Sequence, residues 1–242
     1  MFYRLIILSV LTGSCNFFPS ETKSVQINAR AIFPRINFST GKLIGYDTTV
    51  TKIVQKKDVV LYKIMYTYDT LKSDTVITDK LFHYILYKIG DSFGYNYDSK
   101  KSINGQRVNL DSILKYEWFV QNKLYPMFSN INEVRMLSTY TSLNNDTLKE
   151  EYSLKSIANP EQSGLVFLEF CHSMKQLNFS LSKELDSIKK MKLYKFRTQM
   201  NPIKVNDSLT FDKFETMYDI SISPKADKEI NSYFEKFAKD SK

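Results

Sequence analysis

Residues 58–97 read DVVLYKIMYTYDTLKSDTVITDKLFHYILYKIGDSFGYNY, three apolar and aromatic runs separated by turn formers. In an extended strand alternate side chains point to opposite faces. From Val60 one such set is Val60, Tyr62, Ile64, Tyr66 and Tyr68, all apolar or aromatic; the other, with Lys63 and Thr67, is mixed. β-Branched and aromatic enrichment favours strand over helix here. The second run, 75–89, is apolar on both sides: Leu81, His83, Ile85, Tyr87 and Ile89 against Phe82, Tyr84 and Leu86. A strand of that kind belongs inside a sheet. The polar link 69–74 suits a hairpin loop, and Gly90-Asp91 turns the chain into Phe93, Tyr95 and Tyr97. Links this short cannot make parallel crossovers, so the expectation is an antiparallel meander.

The same alternation recurs along the chain. Val25, Ile27, Ala29 and Ala31 suggest a short edge strand, and 43–54 a second strand. Asn109 or Asp111 can cap a helix carrying Leu110, Leu114, Trp118, Leu124 and Tyr125 and stopped by Pro126. A hairpin comes next over 134–154, turning at Asn144-Asn145-Asp146, with Leu148, Tyr152 and Leu154 facing in. Beyond the loop 157–163, residues 165–174 form a buried strand. Ser180 or Ser182 caps a helix through Lys190, and 191–200 is a strand setting Tyr194, Phe196 and Met200 against Lys195, Arg197 and Gln199. Phe214, Thr216, Tyr218, Ile220 and Ile222 line one face of the next strand. Ser223-Pro224 then starts a helix, with Ala226, Ile230, Tyr233, Phe234 and Phe237 on one stripe. The fold class expected is β-rich α+β: a large antiparallel sheet or incomplete barrel with a few packed helices, the last amphipathic.

The 242 residues carry a formal charge of +8, spread along the chain. Only 7 glycines are present, few for a phosphate-cradling or doubly wound nucleotide enzyme. Met1 to Cys15, MFYRLIILSVLTGSC, resembles the export signal of bacterial lipoproteins. Arg4 supplies the positive start and Leu5 to Leu11 an apolar run too short to span a bilayer. Gly13-Ser14-Cys15 is similar to the small-small-cysteine lipobox. The resemblance covers these fifteen residues. It implies a signal peptide over 1–14 and lipidation of Cys15; separately, the patternless residues after it make 15–24 a tether, and the lack of a linker or composition break makes 25–242 a single domain. The resemblance also implies residence in the cell envelope, anchored through lipid, or secretion if lipid is not added. Cys171 is then the only free thiol, no internal disulfide forms, and the fold rests on its core.

Motifs that carry chemistry are sparse. Gly90-Asp91-Ser92-Phe93-Gly94 matches the pattern of a nucleophile elbow, which needs a helix after the serine. The alternation of Phe93, Tyr95 and Tyr97 predicts a strand instead, leaving a hairpin turn. Cys171 and His172 are neighbours on a strand and point to opposite faces, so they make no thiol–imidazole dyad together; a pairing of Cys171 with His83 stays open. Glu169, inside an apolar run, is the carboxylate to inspect for a shifted pKa. Two histidines and one thiol are too few for a zinc site, and no cofactor is expected. Lys189, Lys190, Lys192, Lys195 and Arg197 form the densest basic cluster, which can face phospholipid headgroups or an acidic glycan. No aromatic–basic motif for nucleic acid accompanies it. The expectation is an envelope lipoprotein with a non-enzymatic binding or structural role, its partner another envelope protein, a glycan or an apolar ligand. The alternative is a hydrolase built around Ser92 or His83.

Overall fold

A computed structural model describes residues 25–72, 75–98, 104–114, 132–159, 161–177, 179–223 and 228–241. The leader, Cys15 and the tether lie outside the described residues, as do Trp118, Leu124, Tyr125 and Ala226.

The first six strands run in sequence: β1 (Val25–Ile36), β2 (Leu43–Lys56), β3 (Val59–Lys72), β4 (Thr75–Lys88), β5 (Phe93–Asp98) and β6 (Gln106–Asn109). A short helix α1 (Leu110–Leu114) comes after them. A second group comprises β7 (Asn132–Thr141), β8 (Thr147–Ser156), β9 (Ser163–Cys171), α2 (Lys183–Lys189) and β10 (Lys192–Met200). A small hairpin, β11 (Ile203–Asn206) and β12 (Leu209–Phe211), leads to β13 (Phe214–Ser223) and α3 (Lys228–Asp240). Eleven strands form one open sheet in the order β6-β5-β4-β3-β2-β1-β13-β10-β9-β8-β7, every neighbouring pair antiparallel. The expected fold class is the one observed.

The turns obey the chemistry of their residues. At the β2–β3 turn Lys57 takes a left-handed backbone at φ 55, and Gly90 does the same at φ 97 before β5. Between β7 and β8, Asn145 is left-handed at φ 56, and the Asn144 side chain accepts from Asp146 N–H. Ser182 caps α2 through its hydroxyl, which accepts from Leu185 N–H at 3.3 Å.

Four expectations need correction. The strand from Val25 is neither short nor at an edge: β1 runs twelve residues between β2 and β13. Its partner β13 lies far along the chain, and local sequence carries no sign of that pairing. The link after Tyr68 is not all loop. Backbone pairing continues from Tyr68↔Asp79 to Lys72↔Thr75, because an antiparallel ladder gives those donors and acceptors partners that a loop would not. Ile89 has left the strand for the turn and is 46% exposed. β9 stops at Cys171, and Met174 is buried in the turn beyond.

Register assigns the two faces. On the inner face Ile27, Ile53, Tyr62, Ile85, Leu168, Phe170, Phe196 and Ile220 join one core with Leu110 and Leu114 of α1 and with Met174, Leu177, Phe179 and Leu181 ahead of α2. Ala29 and Ala31, at the middle of the sheet, are fully buried. On the outer face Val54, Leu61, Tyr84, Leu86 and Tyr97 meet Ile230, Tyr233, Phe234 and Phe237 of α3. Their spacing of three and four places them on one helical stripe.

Candidate docking surface

Much of the described inner face is packed core, while α3 and an ion-paired row lie on the outer face. α3 occupies the part over β2 to β5 and is pinned at both ends. At its start Glu229 accepts from Tyr84 OH (2.5 Å) and pairs with Lys63 (2.8 Å). An acidic residue in the first turn also suits the helix dipole. At its end the Asp240 carboxylate accepts from Tyr97 OH and Gly105 N–H, both at 2.8 Å, and its carbonyl accepts from Tyr95 OH. Gly105 is required there: a Cβ would stand 2.7 Å from the Tyr97 ring. Burial, then the bonded carboxylates, push the Tyr84 and Tyr97 hydroxyls well above the ordinary tyrosine range.

Across β8, β9, β10, β13 and β1 the same face carries one row in register, Lys149–Glu169–Lys195–Asp219–Arg30, alternating in sign. Glu169 pairs with Lys149 (3.0 Å) and Lys195 (3.4 Å) and accepts from Tyr194 OH (2.9 Å). Arg30 holds Asp219 through Nε and Nη2. Burial pushes the Glu169 carboxyl up, but the bonds from Lys149 and Tyr194 and the two lysine charges outweigh it and hold it below its ordinary range. Glu169 lies on an interior strand, since β9 stands between β8 and β10.

The basic cluster dissolves into this arrangement. Lys189 pairs with Glu150 (2.6 Å), Lys192 with Asp186 (2.8 Å), and Lys195 with Glu169. Arg197 approaches Glu215 (3.9 Å) and lies over the Phe167 ring at 4.0 Å. Four of its five cations are thus neutralised by carboxylates from neighbouring elements, which gives a polyanion little to bind. Glu150 carries no mark in the sequence that sets it apart from other acidic residues. It shares the inward side of β8 with Leu148, Tyr152 and Leu154, buried beside Lys189 and the Tyr152 hydroxyl. Its only signal is its parity with those apolar residues.

The candidate catalytic residues stay apart. Ser92 is exposed on the β4–β5 turn, and strand β5 begins at the very next residue, so no helix stands behind it. His83 sits five residues from the end of β4, about 17 Å along the strand from that turn. It packs edge-on to Tyr66 and hydrogen-bonds the Asn96 amide at 3.0 Å. Cys171 is buried, its Sγ 3.2 Å from Ser173 Oγ and 3.6 Å from an Asp146 oxygen. His172 is exposed, its N–H bonded to the Asp146 carbonyl. Five strands separate β9 from the His83 strand β4. Among the described residues no group of three or more His, Cys, Asp or Glu is placed to hold a metal ion.

A corner of the outer face on β2 gathers exposed apolar residues. Tyr46 and Val50 share the outer side of β2 with Val54, yet are 45% and 40% exposed. Ile44, in the bulge beyond them, is 57% exposed, and Phe38 at the β1–β2 tip is 75% exposed against Phe211. Cross-strand, Tyr46 faces Pro34. The β11–β12 hairpin braces the tip: Asp212 accepts from Leu43 N–H and pairs with Lys42. Gly41, left-handed at φ +72, lets the two backbones meet, since a Cβ would fall 2.1 Å from the Thr210 carbonyl oxygen.

This corner borders a fork in the sheet. β2 and β3 pair only from Lys56↔Val59 to Lys52↔Lys63, although both strands run on for many residues. The last rung sets two lysines opposite each other, an unfavourable pair. Lys63 turns to Glu229 and the Phe82 ring. Beyond that rung, among the described residues, β3 pairs in the sheet with β4.

No family model matches the chain, and no curated protein matches it.

Proposed function

We propose that this chain is a lipid-anchored cell-envelope protein that works by binding another protein. The observation that carries the reading is the uncovered corner of β2, where Ile44, Tyr46 and Val50 stand exposed beside Phe38. Exposed apolar side chains gathered on one surface are the usual mark of an interaction site. The separation of Ser92, His83 and Cys171 favours binding over hydrolysis, because a nucleophile and its base must lie within hydrogen-bond reach. The resemblance of residues 1–15 to a lipoprotein signal supports the anchor at Cys15 and the envelope location.

The test is a photo-reactive amino acid placed at Tyr46 in living cells, with Lys155 as an exposed control position. A discrete cross-linked protein should arise from position 46 and not from 155. Cys15→Ala should abolish incorporation of labelled fatty acid and move the protein out of the membrane fraction. Fatty-acid labelling that persists in that variant removes the anchor from the reading, and position 46 giving no adduct removes the docking role.

A further inference from the structure

We propose that the free edge of β2 between Ile44 and Thr51 takes up an extended segment of the partner as an additional strand, seated in the fork between β2 and β3. The inference rests on the protein-binding reading above and names its mode.

The backbone carries the argument. β2 is paired with β1 along its length, from Val25↔Gln55 to Ile36↔Leu43. Its opposite edge has β3 for a partner only over 52–56, and Leu43 N–H is taken by the Asp212 carboxylate. Among the described residues the edge from Ile44 to Thr51 faces no strand. Edge N–H and C=O groups are obligatory hydrogen-bonding groups and template a further strand. On the far side of the fork β3 and β4 continue as a paired ribbon to Lys72↔Thr75. The β2–β3 ladder ends at the Lys52↔Lys63 rung, which fixes where the fork opens.

The side chains then state the chemistry of the occupant. A strand added to β2 presents residues at intervals of two to Tyr46, Thr48 and Val50 on the outer side. Strand addition draws affinity from the main chain and specificity from alternate side chains. The occupant is therefore an extended segment with apolar residues at alternating positions and no proline on the edge that bonds β2.

The probe is a phage-displayed library of random twelve-residue peptides, panned on the full chain in detergent micelles. Selected peptides should carry apolar residues at every second position, and Tyr46→Asp should weaken their binding about tenfold. On binding, deuterium exchange at amides between Ile44 and Thr51 should slow about tenfold or more. Peptides that bind while those amides exchange as before overturn strand addition and leave docking at the corner standing. A library that yields no binder, or a concentration-dependent dimer that protects the same amides without peptide, overturns it too. The cross-link from position 46 tests the underlying reading separately, so the two failures are distinguishable.

Discussion

The outer face of this sheet is finished in two ways on the two sides of β1 and β2. On the β3–β5 side, outward positions are large and apolar, and α3 covers them with four residues of one stripe. On the β8–β13 side, one outward row carries charges that alternate in sign in register across the strands, with Arg197 over the outward Phe167 ring beside it. One backbone architecture accommodates both because alternation separates the faces: the inner core is continuous beneath, whichever solution is used above. The uncovered corner lies where the two solutions meet and neither applies. Exposed apolar residues collect there on β2.

The comparison predicts different responses to the same insult. The largest effect belongs to the helix-covered side. Phe234→Ala removes a ring packed on the sheet and should cost about 3–5 kcal/mol. Thermal melting of the purified chain should then fall by on the order of 10 °C. An unchanged melting temperature would mean that α3 contributes no core and that the two sides are alike.

Next comes the pin at the end of α3. Asp240→Ala leaves the Tyr97 hydroxyl and Gly105 N–H without their acceptor and should cost about 2 kcal/mol in chemical denaturation. The tyrosines also give this side an alkaline sensitivity. Tyr84 and Tyr97 have pKa values raised above the ordinary 10.0, so the stability they lend is complete below pH 10 and is lost as pH climbs beyond it. The double variant Tyr84→Phe, Tyr97→Phe should show a shallower loss of stability above pH 10 than the wild type. Identical alkaline limbs would count against the hydroxyl–carboxylate pins.

The charged side should respond least at neutral pH and in the opposite direction of pH. Glu169→Gln should cost about 1 kcal/mol, since the row is partly exposed and screened. The carboxyl is held below its ordinary 4.5, so its contribution is present above that value and disappears as pH falls through the lowered one. The stability gap between wild type and variant should therefore narrow as pH falls below 4.5. A variant that stays weaker by the same amount at pH 3 would show that Glu169 acts through packing and not through its charge.

Much of this architecture was legible in local sequence. Alternation in Val60, Tyr62 and Ile64, in Leu148, Tyr152 and Leu154, and in Phe214 to Ile222 marked the strands and their inward sides, because side-chain direction in a strand depends only on parity. The doubly apolar run around Tyr84 announced a strand covered on both faces, and the stripe Ile230, Phe234 and Phe237 announced the cover. Asn145 and Gly90 marked turns through their tolerance of left-handed backbone. Pairing between distant strands was not legible. β1 is central because β13, almost two hundred residues later, returns to it, and no residue in either strand encodes the other's position. The same dependence hid the partners of the basic cluster: Lys195 meets Glu169 and Lys189 meets Glu150 only after β8, β9, β10 and α2 have assembled. The fork at Lys52 and Lys63 is likewise a property of two strands together, since each strand alone shows unbroken alternation. Parity is set residue by residue along one chain, whereas register, coverage and charge neutralisation are set between segments that the sequence keeps apart.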